Sequence, residues 1–360
     1  MRRGPPFVAT IILLAVAFAP PAQLAQAAGR WEQLRAGVLG WFGVSEDPAA
    51  ALARLGGTRL LLGADRDDYR TSILNALRDD VRHLMREARI PYSSLGVRDG
   101  GVELRVREPS DLQRTMSALA ATAGPAGGAV DIGDAGEGMV RLTPTERAFG
   151  ERLNGSLGQT VEIIRRRLDG LGVASAAVQR DGPDRILVVA PGLRDPAHVL
   201  QLIVARAGLE LRLVDVSMTP SDAMKIGVPA GSELLHQAKT KELYLVRTDS
   251  TVGGQDIADA KPSFSTYGNQ PVVDFSFTAR GAREFGRLTQ ENIGRPFAIV
   301  LDGEVITAPV IREPILGGTG QISGAFTVEQ ASDLAILLRA GMLPVRLIAV
   351  EQTTVEPAQK

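Results

Sequence analysis

Between Thr58 and Leu142 the apolar residues change period from strand-like to helix-like and back, and this alternation limits the possible folds more than any other feature of the chain. Thr58 to Ala64 is a compact apolar run of strand length, whereas Asp67 to Arg89 carries Ile73, Leu77, Val81, Leu84 and Met85 on one helical face. Ser94 to Arg98 and Val102 to Arg107 flank Asp99-Gly100-Gly101 as a hairpin. Ser110 to Ala121 reads as a second helix and Met139 to Leu142 as a closing strand. Each helix must bury its stripe against another layer, so the class is α+β. The order βαββαβ predicts a ferredoxin-like unit.

The pattern restarts at Ser156. Ser156 and Gln159 have capping-box spacing ahead of Val161, Ile164, Leu168 and Leu171, and Gly172 ends that helix. Strands over 174–179 and 185–190, a helix over 196–207 and a strand over 209–214 form a second half-unit, so 28–214 is expected to be a base. From Asp215 the composition shifts toward Gly, Pro, Ser and Thr. Thr278 opens a helix over Ala282, Phe285 and Leu288. Phe297 to Leu301 and Glu304 to Ala308 are joined by Asp302-Gly303, a two-residue turn that tolerates positive φ. Thr327 and Gln330 repeat the capping box before Val328, Ala331, Leu334, Ala335 and Leu338. Residues 215–344 are therefore expected to form an inserted α+β head, and 345–360 a strand returning to the base with a short tail. Two crossings between lobes predict a hinge, at Val214 and Ser217 outward and at Leu343 and Arg346 on the return.

The chemistry that the residues exclude is broad. At 360 residues and 44% apolar content the chain exceeds one ordinary domain. Its formal charge of −1 is spread along the sequence, without the basic stripe that nucleic acid requires. Cysteine is absent, which removes disulfides and thiol chemistry. His83, His198 and His236 fall in neither H-x-H nor H-x-x-x-H spacing and read as helix-surface residues rather than metal ligands. Asp65, Asp67 and Asp68 fail as a calcium loop because the sixth position is Arg70; Asp67 or Asp68 reads as a helix cap. Gly317-Gly318-Thr319-Gly320-Gln321 lacks the Lys-Ser or Lys-Thr of a phosphate loop and reads as a hairpin loop. Arg165-Arg166-Arg167 reads as the solvated face of an amphipathic helix. Neither a G-x-S-x-G nor a His-Glu pairing is present. No catalytic residue, metal or cofactor is expected.

Arg2 and Arg3 precede an uncharged run from Phe7 to Ala19, then Pro20-Pro21 and Ala25-Gln26-Ala27, the order of an export signal. The run is shorter than the roughly 20 residues a membrane-crossing helix needs, which favours cleavage over retention as an anchor. Residues 1–27 are thus a signal peptide or an amino-terminal membrane anchor, and either delivers the rest to the periplasm.

Asn292 to Arg312 reads N-I-G-R-P-F-A-I-V-L-D-G-E-V-I-T-A-P-V-I-R, and in this stretch the chain closely resembles SecD, the membrane subunit that assists protein export across the bacterial inner membrane. The similarity extends in family order through Gln159 to Gln179, Pro191-Gly192, Gln321 to Gly324 and Leu334 to Pro344. The resemblance implies the first periplasmic domain of the SecDF system, with a mobile head that holds unfolded preprotein. SecF, the SecYEG translocon or a separate SecD membrane half are the implied partners, with the inner membrane surface nearby. Past Thr354-Val355 the family continues into membrane helices, and this chain is expected to lack that proton-conducting part. Among head residues matching the family motifs, Ile311 and Phe326 are the expected rim contacts for substrate; Phe264, Phe275, Phe277, Phe285, Phe297, Ile306 and Val310 are the further candidates. The alternative is a binding or scaffold module of another envelope complex that retains the head fold.

Overall fold

The computed structural model describes residues 47–357 apart from 124–127, 174, 194, 250, 251 and 267, and the expected leader over 1–27 lies outside the described residues. A short helix, α1 (Pro48–Leu55), leads into β1 (Gly57–Ala64) and the long α2 (Arg66–Glu87). The cap of α2 is Asp65, whose carboxylate accepts from the Asp68 N–H at 3.0 Å. The cap is therefore two to three residues earlier than Asp67 or Asp68, which lie in the positive first turn. There follow β2 (Tyr92–Arg98), β3 (Gly101–Val106), α3 (Leu112–Leu119), β4 (Val130–Gly136) and β5 (Met139–Pro144).

Here the structure corrects the first βαββαβ unit. β1 does not join the strands that follow it: β2, β3, β5 and β4 form their own antiparallel sheet in that order. Alternation specifies strands, but burial chooses their sheet. Leu60 and Leu62 of β1 enter one core, while Val102, Leu104, Val140 and Leu142 enter another. α2 spans both, placing Tyr69 and Ile73 in the first and Leu74, Leu77, Val81 and Met85 in the second.

The next segment runs α4 (Glu146–Gly170), β6 (Ala177–Arg180), β7 (Arg185–Pro191) and α5 (Pro196–Val204). α4 starts ten residues before the expected capping box, behind Thr145, whose hydroxyl accepts from the Ala148 N–H. Ser156 lies mid-helix, its hydroxyl 2.8 Å from that of Tyr69.

Beyond α5 come β8 (Leu209–Leu213), α6 (Pro220–Ile226), β9 (Ser232–His236), β10 (Leu243–Arg247), β11 (Val252–Gly253), β12 (Ile257–Phe264) and β13 (Pro271–Phe277). Then follow α7 (Ala279–Glu291), β14 (Phe297–Leu301), β15 (Glu304–Thr307), β16 (Thr319–Ile322), α8 (Val328–Ala340) and β17 (Leu347–Val355). β17 lies antiparallel to β1, giving the sheet β17-β1-β7-β6. The intervening strands form the sheets β11-β8-β14-β15, β12-β13-β16 and β10-β9.

β8 was expected in the base, yet it pairs with β14 and β11. Its Leu209 and Leu211 are buried with Phe275, Phe277, Phe285 and Phe297 in the head core. Those four rings form a chain with centroid separations of 5.0, 5.0 and 5.7 Å, each contact worth about 0.5–1.5 kcal/mol beyond area burial. At Gly320 a β-carbon would lie 2.6 Å from the Phe275 ring, so glycine is required for β16 to close on it.

α8 serves two layers. Ala331, Leu334, Ala335 and Leu338 complete the head core, while Ala340 and the following Leu343 and Val345 enter the base core. The chain therefore passes between lobes at 205–208 and 341–343.

Candidate functional site

The crossings are organised around a buried arginine. Arg167 on α4 is fully buried, although the Arg165–Arg167 run reads from sequence as solvated. The helix dictates this: Arg167 is four residues from Ile163 and three from Ile164, on the buried stripe. Its Nη1 donates to the carbonyls of Leu202, Ile203 and Ala205 at 3.0, 2.8 and 2.6 Å, and Nη2 to Gly341 at 3.0 Å. Those acceptors are the ends of α5 and α8, whose terminal carbonyls lack intrahelical donors and carry the negative pole of each helix. Burial pulls the guanidinium down to about 10, opposed by the nearby Asp302 carboxylate, and it remains a cation at neutral pH.

Asp302 fastens the same crossing from the head side. It occupies the β14–β15 turn at φ 50, followed by Gly303 at φ 83. Its carboxylate accepts from the Ala207 N–H at 3.0 Å and the Gly208 N–H at 2.7 Å. Ala207 itself has φ 59, a left-handed conformation uncommon for a residue with a β-carbon. A third cross-lobe contact joins His198 of α5 to Asp333 of α8 at 3.0 Å, with Glu329 at 3.8 Å. The hydrogen bond to Asp333 raises the imidazole above its ordinary value, against desolvation. His198 is thus no isolated surface histidine, and His236 lies on a strand rather than a helix.

The expected hinge residues divide between the two lobes. Val214 bridges Val246 and its N–H donates to Pro296 O, and Ser217 follows it; both lie within the head, because β8 already belongs there. Leu343 sits on the return crossing, fully buried, its N–H donating to Arg206 O at 2.9 Å. The Arg346 carbonyl accepts from the Asp65 N–H at the foot of β17.

Of the expected rim contacts, Ile311 is 2% exposed and belongs to the head core, so that reading is corrected. Its N–H donates to Arg295 O and its carbonyl accepts from the Gly294 N–H, turning the side chain inward. The alternation presents its neighbour Val310 instead, at 53% exposure. Phe326 is half-buried against the head core, with Lys239 Nζ 5.4 Å from its ring centroid.

Exposed apolar side chains gather where Val214, Pro296 and Val310 run side by side. Val216 and Ile293 lie within three residues of that junction, at 67% and 53% exposure. α6, which packs on β10, adds Met224 and Ile226, with Val228 just beyond it. These residues, not Ile311, are the head's open apolar rim, and Phe264, Leu316 and Val328 add exposed apolar surface to the same lobe.

Residues 232–345 match the family described as SecDF, P1 head subdomain, and residues 157–216 match Protein translocase subunit SecDF, P1 domain, N-terminal. Protein translocase subunit SecD of Rickettsia bellii is 35% identical over 302 residues, covering 84% of this chain and 57% of its own. The SecD of Magnetococcus marinus is 36% identical over 312 residues, covering 84% of this chain and 58% of its own. A crystal structure of SecDF in super-membrane-facing form aligns over 84% of this chain and 31% of that chain, with 25% identity and a TM-score of 0.49. The chain spans little more than half the length of the curated relatives it matches.

The fold and the two family matches define an α+β P1 domain of the SecDF type. The chain belongs to the SecD family. Among the described residues no helix is long and apolar enough to cross a membrane.

Proposed function

We propose that this chain binds extended preprotein on the periplasmic side during Sec-dependent export, through the apolar rim of a head carried on a ferredoxin-like βαββαβ base. The observation that carries the reading is the rim itself: Val216, Met224, Ile226, Val228, Ile293 and Val310 are 44–76% exposed on a lobe whose core is otherwise well filled. Such a surface holds unfolded chains with little side-chain selectivity, because it offers apolar area without a shaped pocket. The base reading is supported by the strand order β17-β1-β7-β6, which is fourth, first, third, second among the four strands in chain order. The head turns on the crossings at 205–208 and 341–343, with SecF, the SecYEG translocon or a separate SecD membrane half as partners.

Site-specific photocrosslinking tests this. A crosslinker at Val310 or Ile226 should capture a secretory protein stalled during export, and one at buried Ile311 should not. A folded, periplasmic protein that yields no crosslink from either exposed position refutes preprotein handling and leaves the scaffold reading.

A further inference from the structure

The far end of α2 carries a charged surface remote from the apolar rim. Arg82, Arg86 and Arg89 succeed one another at intervals of four and three residues, which puts them along one side of the helix end. Arg107 joins them from the end of β3. With Pro91 and Tyr92 these arginines line an open groove of about 590 Å³, in which every charged side chain is an arginine.

Arg86, Arg89 and Arg107 are exposed, and among the described residues none of them pairs with a carboxylate; Arg82 shares Asp79, at 2.8 Å. The neighbouring Glu87 is turned to His83 at 3.5 Å. Favourable interaction with the negative end of α2 accounts for Arg86 in the last turn. It does not account for Arg107 on another element, nor for Arg89 beyond the helix at φ 53. On a chain of net charge −1 this is a local concentration of positive charge.

The groove is shallow. Met85 and Ile90 beneath it are buried at 0% and 3%, so it offers no pocket for an apolar anchor of a protein partner. Four guanidiniums, three of them without a carboxylate partner among the described residues, beside a half-buried tyrosine match a broad anionic layer, in which aromatic rings rest at headgroup depth.

We propose that the groove formed by Arg82, Arg86, Arg89 and Arg107 rests on the anionic phospholipid headgroups of a membrane. The test uses the full chain in flotation with vesicles of phosphatidylcholine alone or mixed equally with phosphatidylglycerol. Arg2, Arg3 and the apolar amino-terminal run are common to all variants, so the quantity read is the gain that phosphatidylglycerol confers. Each arginine should contribute roughly fivefold to that gain, which falls as salt rises. The variant R82Q/R86Q/R89Q/R107Q should keep only the part of that gain that Arg2 and Arg3 supply. R107Q alone, which leaves the helix end intact, should lose about fivefold.

Four results would overturn the proposal: no gain from phosphatidylglycerol, a gain unchanged in a natively folded quadruple variant, a gain unchanged in R107Q, or loss of the gain to inorganic phosphate at matched ionic strength. The last would make the groove a phosphate site. R107Q-sensitive binding of a polyglutamate peptide with no preference for anionic vesicles would assign it to an acidic protein.

Discussion

Replacing Arg167 with alanine should loosen the attachment of head to base. The side chain makes four hydrogen bonds to backbone carbonyls. Nη1 has two hydrogens for three of those carbonyls, so about three bonds are whole; at about 1.5 kcal/mol each, the low end of the range for charged groups, they contribute about 4–5 kcal/mol. Against this stands Nε, which is buried without a partner at a cost of about 1–3 kcal/mol, in keeping with the fall of the guanidinium to about 10. The difference predicts a loss of about 3 kcal/mol in Arg167→Ala, within the range seen when one partner of a buried charged network is removed. Arg167→Lys keeps the charge but has one nitrogen where arginine reaches in two directions, and should lose about half as much. Urea unfolding followed by circular dichroism gives the global change. Hydrogen exchange across 202–208 and 339–345 locates it, since the Leu343 amide is held by Arg206 O at the crossing. A destabilisation below about 1 kcal/mol with unchanged protection in both segments would refute the view that Arg167 pins the lobes.

Asp302→Ala should cost about 2 kcal/mol, because two backbone N–H groups at the left-handed crossing lose their acceptor, and Asp302→Asn less; urea midpoints would rank them. Gly320→Ala should lower the melting temperature through a clash with the Phe275 ring worth about 1–3 kcal/mol, with no change in the circular dichroism of the folded state. The His198–Asp333 contact gives a signed pH dependence. The folded-state pKa is raised, so its stabilisation is fully present below the ordinary value of 6.5 and is lost as pH rises through the folded value. His198→Asn should flatten this component of the stability profile. Imidazole titration by NMR should place His198 above 6.5; a value at or below that removes the linkage.

Much of the local structure was legible. Asp302-Gly303 announces its hairpin because both residues adopt positive φ, and Thr327 with Gln330 forms a reciprocal cap at 3.1 Å in each direction. The start of α4 was hidden by Gly150, Gly155 and Gly158, which resemble breakers but are carried inside a long helix by its packed stripe. β4 has only Val130 and Ile132 as large apolar members of an edge strand, too few for a period. The site was less legible, because exposure depends on a single-residue phase. Val310 and Ile311 are equivalent in composition, and only the backbone pairing with Arg295 and Pro296 decides which turns outward. Arg167 could have been found by extending the helical stripe from Ile163 and Ile164 through the arginine run, instead of treating the run as a block.

The hydrogen bond between Leu343 and Arg206 also bears on how such a chain is put together. More than a hundred residues depart and return through two strands of backbone lying side by side, while β1, β6, β7 and β17 complete their sheet without a contribution from any strand in between. The head is in this sense a cassette with its two ends already apposed. A short turn replacing it would leave the base sheet with its strand order intact, and an insert of another size could occupy the same gap.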